Sequence, residues 1–574
     1  MLLALTTIAC GGGGSSNNNS VNTPPTPTMQ NPTMDLAATN APVTRILGSA
    51  STGRFGTPVA GGFDVDGDGF LDFGLSAMAA SPLGRAQAGQ VYLIFGDGTI
   101  GSTLDTASAD PTILVIAGAG EKEAAGGEIW MDDVTGDGLG DLLIGRFNYS
   151  AGSRIGAGAV TVIVGSPELR NIAASSTILD LATPPANITI VTLVGANALD
   201  RVGFWLRTGD VDGDGINDIA FSADQRDTNG SDNAGAIYLL RGGPHLGSST
   251  IVDLADFGTT VFAGQLAIIE PPAGSSNFHF GATLALIDLD ANGRAEVLSA
   301  AALSRVGGLL EAIGAPAGSG VRVGGNPGGS LFIFWDDNLP TGLWPAGLTI
   351  GFDNPPGSIS RIDGSTLAGG ETSDRFGEEL IGGADYDGDG TSDLFVGDIR
   401  GDLPGKTDAG LGHIFFNAAE LKQQLFSIDA LPANVAMTTL VGGGGGDISS
   451  DTTLHGDIDG DGFVDLVVAS PLADPNGRGN AGTVHVIWGQ SEPWPAIIDL
   501  GLPSAGGFVI TDILGARGEQ STDDAGDTLM YSGLSADVNG DGFDDLIVNE
   551  MRGNGSTALD VGNLLVIDGA SVPR

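Results

Sequence analysis

Short apolar runs alternate with turns rich in glycine and aspartate along nearly the whole chain. Runs such as FGLSA (73–77), IAFSA (219–223) and LVVAS (466–470) are only five residues long. A second set follows a small-residue pair, as in AGQVYLIFG (88–96) and AGTVHVIWG (481–489), and a third set ends in glycine, as in TILVIAGAG (112–120). Brief apolar runs bounded by turn residues are typical of buried strands, so the pattern predicts an all-β protein.

The runs recur in a fixed order within units of roughly 75 residues, which is the length of one propeller blade. Seven units predict a seven-bladed β-propeller of four-stranded antiparallel blades. The seventh unit supplies only three strands before the chain ends at Arg574. The segment VTRILGSAS (43–51) resembles the missing fourth strand, so we expect residues 43–48 to form the outermost strand of the last blade. An N-terminal strand would thus close the ring and protect the sheet edges.

Each unit contains one nine-residue acidic loop, in its fullest form Asp-x-Asp-Gly-Asp-Gly-x-x-Asp, immediately before an apolar run. The seven loops begin 69 to 97 residues apart. Carboxylates at positions 1, 3, 5 and 9, with the carbonyl of position 7, supply the oxygen ligands that calcium prefers, and glycine at position 6 allows the sharp bend. The predicted ligands are Asp64, Asp66, Asp68, Phe70 and Asp72; Asp133, Thr135, Asp137, Leu139 and Asp141; Asp210, Asp212, Asp214, Ile216 and Asp218; Asp288, Asp290, Asn292, Arg294 and Glu296; Asp385, Asp387, Asp389, Thr391 and Asp393; Asp457, Asp459, Asp461, Phe463 and Asp465; Asp537, Asn539, Asp541, Phe543 and Asp545.

Three loops depart from the full pattern while keeping oxygen donors. Thr135 and Asn539 replace a carboxylate at position 3, and Asn292 replaces one at position 5. We therefore expect up to seven structural Ca²⁺ ions with graded affinities, the second and fourth sites being the weakest. An EF-hand is excluded, because position 12 of every loop lacks the glutamate that an EF-hand requires.

The chain carries 70 acidic and 23 basic residues, a net charge of −47. The loop carboxylates at positions 1, 3, 5 and 9 account for 25 of those acids. Even with seven bound dications the protein stays strongly acidic, which argues against nucleic acid and anionic membrane surfaces as partners.

The N-terminus resembles a bacterial lipoprotein signal, although it is short and lacks basic residues. The apolar stretch MLLALTTIAC ends at Cys10, the only cysteine, and a polar segment rich in Gly, Ser and Asn follows. We expect residues 1–10 to be the signal, with lipidation at Cys10, residues 11–40 to be a flexible linker and residues 41–574 to be the propeller. A chance cysteine in an ordinary hydrophobic N-terminus is the alternative. Lipidation would place the protein in the bacterial cell envelope, as an outer-membrane lipoprotein exposed at the surface. Without lipidation we expect it to be secreted. No segment is predicted to span a membrane.

Phe-Gly pairs (Phe55-Gly56, Phe280-Gly281, Phe376-Gly377), the acidic loops and the Ala-Gly strands together resemble the FG-GAP repeats of the integrin α-subunit propeller. The expected Gly-Ala-Pro is degenerate here, Ala-Ser-Pro at 469–471 being the nearest form, and all seven units carry an acidic loop. The resemblance implies that the calcium loops occupy the lower face and that ligands contact the upper face. The upper loops would be 77–88, 146–157, 223–234, 300–328, 398–409, 470–481 and 550–561, of which 300–328 is the longest.

Upper-loop cations suggest either a basic rim for acidic glycans or carboxylates, or ion pairs that hold the loops. These cations are Arg85, Arg154, Arg226, Arg305, Arg322, Arg400, Lys406, Arg478 and Arg552. The tripeptide Arg400-Gly401-Asp402 lies in one such loop, although a chain this rich in glycine and aspartate contains it easily by chance.

The five histidines are scattered through the repeats, and no nucleophile elbow, zinc spacing or phosphate loop occurs. The preferred hypothesis is a non-enzymatic calcium-binding surface module for adhesion or ligand binding, which contacts an extracellular protein or glycan through its upper face. The alternative is a secreted enzyme, or an enzyme-associated domain, acting on extracellular polysaccharide.

Overall fold

A computed structural model describes residues 31–49, 55–98, 103–175, 177–256, 262, 264–301, 329–337, 349–352, 355, 357–365, 375–491, 493–502, 508–520, 526–555 and 559–574. The predicted signal, Cys10, the linker up to residue 30 and most of the long upper loop at 300–328 lie outside these ranges.

Seven small sheets form a seven-bladed β-propeller, as predicted, but each sheet has five strands. From the axis outward the strands are Val59–Phe63, Asp72–Ala77, Gln90–Ile94, Ile113–Ala117 and Leu179–Asp180 in blade 1; Glu128–Asp132, Asp141–Gly145, Ala159–Ile163, Ile190–Val194 and Thr250–Asp253 in blade 2; Leu206–Gly209, Asp218–Ser222, Ile237–Leu240, Leu266–Glu270 and Thr349–Gly351 in blade 3; Ala285–Ile287, Glu296–Ala300, Ser330–Phe334, Ile359–Asp363 and Leu425–Ser427 in blade 4; Phe376–Ala384, Asp393–Asp398, Leu411–Phe416, Ala436–Val441 and Ile497–Asp499 in blade 5; Thr453–Gly456, Asp465–Ser470, Thr483–Ile487, Ile510–Leu514 and Thr33–Asp35 in blade 6; Leu529–Ala536, Asp545–Glu550, Asn563–Ile567, Val43–Leu47 and Leu104–Asp105 in blade 7. One α-helix of eight residues, Pro167–Ala174, and short 3₁₀ turns at Pro82–Gly84, Pro244–Leu246, Leu254–Asp256, Ala418–Leu421, Pro475–Gly477 and Gly569–Ser571 complete the described elements.

The fifth strand of each blade comes from the following repeat and pairs parallel to the fourth strand. Leu179–Asp180, for example, belongs to the second repeat by sequence but pairs with Ile113–Ala117 of blade 1. The four inner strands are antiparallel, as predicted. The four-stranded prediction was therefore incomplete, and every repeat is joined to its neighbour through backbone hydrogen bonds.

The N-terminal segment closes the ring with two strands. Val43–Leu47 pairs antiparallel with Asn563–Ile567 as the fourth strand of blade 7, which confirms the predicted pairing. It is not the outermost strand, because Leu104–Asp105 pairs with its outer edge. Thr33–Asp35 pairs with Ile510–Leu514 of blade 6. Residues 33–35 of the predicted linker thus form a strand, because this segment carries the fifth-strand sequence Met-Asp and adds to a sheet edge.

The hydrophobic core lies between the blades. Seven clusters of buried side chains each join two neighbouring blades. At the closure, Ile46 and Phe55 from the N-terminal region pack in one cluster with Leu75 of blade 1 and with Ile547 and Leu564 of blade 7, all fully buried. The ring is therefore sealed by the same apolar packing that joins every other pair of blades.

The Ala-Gly and Phe-Gly pairs meet where adjacent blades touch. Gly235 has φ +82°, and a Cβ on it would lie 2.2 Å from the carbonyl oxygen of Phe280. The two residues form an isolated parallel bridge between blades 3 and 4. Only glycine allows this approach, which explains why the pair recurs in the repeats.

Candidate metal centre

Each acidic loop is folded around the carboxylate of its first aspartate. In the first loop Asp64 Oδ2 accepts a hydrogen bond of 2.8 Å from the backbone N–H of Gly69. All seven loops repeat this bond between positions 1 and 6, at 2.8 to 3.0 Å. The sequence pattern therefore gives the same loop conformation seven times, at the connection between the first and second strands.

Five loops bring three carboxylates together, from positions 1, 3 and 9. One oxygen from each lies within 4.8 Å of the others in the groups Asp64, Asp66 and Asp72; Asp210, Asp212 and Asp218; Asp288, Asp290 and Glu296; Asp385, Asp387 and Asp393; Asp457, Asp459 and Asp465. The second and seventh loops have only two acids at these positions, because Thr135 and Asn539 occupy position 3. The fourth loop, predicted to be weak, assembles a full group with Glu296.

Buried carboxylate oxygens in these loops lack hydrogen-bond partners, which fits a cation site. They are Asp290 Oδ1, Glu296 Oε1 and Asp457 Oδ1. A buried acceptor without a partner is costly unless a ligand satisfies it. Burial, together with the nearby negative charges of Asp66 and Asp68, raises the pKa of Asp72 to about 7. A dication held by these all-oxygen donors would offset this repulsion, and hard calcium suits them.

The position-9 carboxylate also holds the blade together. In blade 3, Asp218 Oδ2 accepts a hydrogen bond of 2.9 Å from Val211 N, and Oδ1 accepts one of 2.9 Å from Gly242 N, beyond the third strand. Six loops share this pair of bonds. In the fourth loop Glu296 Oε2 accepts from Leu289 N at 2.8 Å. The ligand position is therefore a structural position as well.

The predicted ligands at positions 5 and 7 lie beside the carboxylate groups. In the described part of the chain, the position-5 carboxylates are not members of those groups, and each position-5 side chain accepts a hydrogen bond from the position-7 amide, as Asp68 does from Phe70 at 3.0 Å. Five position-7 side chains lie against a glycine of the neighbouring loop: for example, a Cβ on Gly136 would lie 2.7 Å from Ile216 Cδ1. At these five positions the residue type, which the ligand chemistry leaves free, therefore serves packing between loops.

Basic side chains neutralise several of the loop carboxylates. Arg170 lies against Asp66 and 2.7 Å from Asp68, and Arg241 lies 2.9 Å from Asp212. Lys422 Nζ lies 3.1 Å from Asp290. Sequence reasoning missed these pairs, because each cation lies in a segment remote from its loop.

Most described upper-loop cations are committed to ion pairs. Arg85, Arg154, Lys406 and Arg478 contact Asp180, Asp253, Asp499 and Asp35, which all lie at the ends of fifth strands. The Arg154 guanidinium holds the pKa of the Asp253 carboxyl below its ordinary value. Arg226 pairs with Glu270 and Asp200, and Arg400 with Asp408. The basic-rim hypothesis therefore loses support, while Arg305 and Arg322 lie outside the described residues.

The charged side chains of the Arg400-Gly401-Asp402 tripeptide contact Asp408 of the same loop. Arg400 lies 3.6 Å from Asp408, and the Asp402 carboxylate accepts a 2.6 Å hydrogen bond from Asp408 N. Gly401 is buried. Both charged groups thus have internal partners.

A hydrogen-bonded chain of serine, histidine and aspartate crosses blade 6, and sequence reasoning missed it. Ser470 Oγ lies 3.1 Å from His485 Nε2, and His485 Nδ1 lies 2.7 Å from Asp512 Oδ1. Ser470 is fully buried and also lies against the Ser449 hydroxyl. The serine oxygen faces packed protein, and the chain of hydrogen bonds links three strands of the blade.

The comparison with protein families agrees with the repeat pattern. The sequence matches the family model described as FG-GAP repeat at residues 202–240 and 451–487, which include the third and sixth acidic loops. The phosphatidylinositol-glycan-specific phospholipase D of Rattus norvegicus is 29% identical over 160 residues, which cover 28% of this chain and 17% of that protein. The match spans less than a fifth of that relative.

A solved structure of the rhamnogalacturonan lyase YesW is similar over 92% of this chain and 91% of that chain, with 12% identity and a TM-score of 0.25. Within the described ranges, no helix combines the length and apolar character needed to cross a bilayer.

Proposed function

Because the chain carries FG-GAP repeats in an integrin α-like seven-bladed propeller, we propose that it is a calcium-stabilised extracellular module that binds a partner without catalysis. The observation that carries the calcium part is the recurrence of three converging carboxylates at equivalent positions of five blades. The Asp and Glu residues at positions 1, 3 and 9 would hold each ion, and the ion would neutralise their mutual repulsion.

The partner would bind the upper face, at the opposite ends of the strands from the calcium loops. Upper-face loops expose large aliphatic side chains at their tips: Leu83 (56% exposed), Ile155 (68%), Leu199 (62%), Leu403 (38%) and Leu559 (58%). A contiguous patch formed by these side chains would be typical of a protein interaction site. Since the neighbouring cations are mostly paired internally, apolar contact rather than a basic rim would supply the affinity.

A binding screen against extracellular glycans and surface proteins, in calcium and again in chelator, tests this proposal. We expect calcium-dependent binding to one protein ligand, weakened in the combined variant Leu83→Ser, Ile155→Ser and Leu403→Ser. Ile251→Ser with Ile497→Ser, at exposed positions of outer strands, is the matched control. Release of new chain ends from a polysaccharide, with no binding in either condition, would instead establish the enzymatic alternative.

Attachment to the cell envelope through Cys10 is the proposed location, with secretion as the alternative. The acidic, calcium-demanding loops suit an extracellular compartment where calcium is plentiful. Incorporation of labelled palmitate into the full chain, and its loss in Cys10→Ser, would support the anchor; equal labelling of both chains would contradict it.

A further inference from the structure

A cavity of about 590 Å³ lies on the propeller axis, between the innermost strands. Residues of the innermost strands of blades 1, 2, 3, 5, 6 and 7, residues just before those strands, and Met78 of blade 1 line it. The wall is acidic and aromatic: it includes the side chains of Glu128, Glu379 and Asp451 together with Trp130 and Trp205. Neither the acidic loops nor the upper-face contacts use this space.

One side chain of the protein shows that this wall can hold a cation. The Arg207 guanidinium lies between two indoles, 4.4 Å from the ring centre of Trp130 and 4.7 Å from that of Trp205. Its Nη1 lies 2.6 Å from Glu128 Oε1. One organic cation, supplied by the protein, is therefore already held by a carboxylate and two aromatic faces.

Two further carboxylates in the same cavity, those of Glu379 and Asp451, have no direct ion pair of this kind in the part of the chain that the structure describes. Among the described residues, neither Glu379 nor Asp451 has a basic side chain within ion-pair distance, whereas the adjacent Glu378 is paired with Arg375 at 2.8 Å. Burial raises the pKa of Glu379 to about 8 and that of Asp451 to about 7. The negative charge of Asp451 also raises the pKa of Glu379, so a bound cation would offset the repulsion between these two acids.

An independent observation points to a ligand at the same place. Thr453 lines the cavity and is only 2% exposed, yet its Oγ1 has no hydrogen-bond partner. The backbone amide of Thr453 donates to Glu379, so the hydroxyl and the carboxylate belong to one patch of wall. A buried hydroxyl without a partner is uncommon, and a ligand that accepts or donates there would satisfy it.

We propose that the axial cavity binds a small alkyl diamine. One of its two ammonium groups pairs with Glu379 and Asp451, beside Thr453. The apolar walls, which include Leu380 and Leu454, suit a short methylene stem. The excess of acids over Arg207 in the wall favours a cation over a neutral sugar. This small-molecule site is separate from the proposed partner surface.

The affinity would rise with pH between about 6 and 9, because deprotonation of Glu379 and Asp451 creates the negative charges that the ligand needs. The charged groups that act on Glu379 are Arg207, Glu128 and Asp451, with Glu378, Arg375 and Arg400 acting on Asp451.

Calorimetric titration of the calcium-saturated protein with putrescine (1,4-diaminobutane) tests the proposal. We expect binding of one putrescine per chain, no binding of the neutral isostere 1,4-butanediol, and at least a roughly tenfold loss of affinity in Glu379→Gln and in Asp451→Asn. Glu121→Gln, an exposed acid outside the cavity, is the matched control and should bind as the parent does. Thermal melts in calcium show whether each variant is folded.

The proposal is overturned if the folded parent protein does not bind putrescine. Equal binding by the parent and both cavity variants also overturns it, because the site would then lie elsewhere. Binding of a neutral oligosaccharide in place of the diamine would overturn it as well and would identify a sugar site.

Discussion

The carboxylate of Asp393 accepts a 2.8 Å hydrogen bond from the backbone amide of Tyr386, and its second oxygen accepts one of 2.9 Å from Asn417. Asp393 also belongs to the three-carboxylate group with Asp385 and Asp387. One side chain therefore joins the acidic loop, the second strand and the end of the third strand. Metal binding at this loop would therefore be coupled to blade folding through Asp393.

Asp393→Asn should remove one calcium from the bound total and destabilise the protein by about 1–3 kcal/mol, because an amide NH₂ would face a backbone N–H donor. Calcium stoichiometry by calorimetry and the melting temperature in calcium measure the two effects. Asp389→Asn, at the exposed position 5 of the same loop, is the matched control and should change both much less. Equal effects of the two variants would contradict the structural role of position 9.

Gly235→Ala should destabilise the interface between blades 3 and 4, because the new methyl would meet the Phe280 carbonyl at 2.2 Å. Strain of this kind costs more than about 1 kcal/mol. Gly230→Ala shares the positive φ, at +75°, but its Cβ would meet nothing within 4 Å. Denaturant unfolding of both variants separates crowding from backbone strain, and equal losses would show that crowding is unimportant.

Ile46→Ala should lower the free energy of unfolding by about 2–5 kcal/mol, since this N-terminal residue is fully buried in the cluster that seals the ring. Ile251→Ala, on an outer strand and 77% exposed, should change it little. Denaturant midpoints at constant calcium measure both. A negligible effect at Ile46 would mean that the N-terminal strand does not close the propeller.

His413 should make the protein less stable in mild acid. Burial lowers the pKa of His413 to about 4, whereas an unfolded histidine titrates near 6.5, so below pH 6.5 the unfolded chain takes up a proton that the folded chain does not. This contribution reaches about 2–3 kcal/mol at pH 4.5. His413→Gln keeps a polar partner for Thr439 but cannot titrate.

Because the acidic loops also titrate, the informative quantity is the stability difference between the parent and His413→Gln at pH 7 and at pH 4.5. That difference should shift in favour of the variant at the lower pH. A difference that does not change with pH would show that His413 is not buried in its neutral form.

The repeat order predicted the blades, the closing strand and the convergence of loop acids, because apolar periodicity and ligand spacing are local features. The fifth strands escaped prediction, since Leu104–Asp105 and Leu179–Asp180 are too short to form an apolar run. Their recurring apolar-Asp pair, also present at Val252-Asp253 and Met34-Asp35, was the available signal.

The local sequence pattern could not predict which side chains of different repeats pair with each other. The pairing of Arg154 with Asp253 joins residues 99 positions apart. The axial cavity likewise collects residues such as Glu128, Arg207 and Asp451 from different blades. Such sites depend on the closed ring, so only the tertiary structure shows them.

Calcium content and its effect on unfolding test the central claim most directly. The purified chain should bind at least five and up to seven calcium ions, and removal of calcium by EGTA should lower the melting temperature strongly, because ions that bind the folded state add to its stability. Re-addition of calcium should restore the original melt. A chain that retains no calcium and melts at the same temperature with and without chelator would contradict a calcium-stabilised propeller.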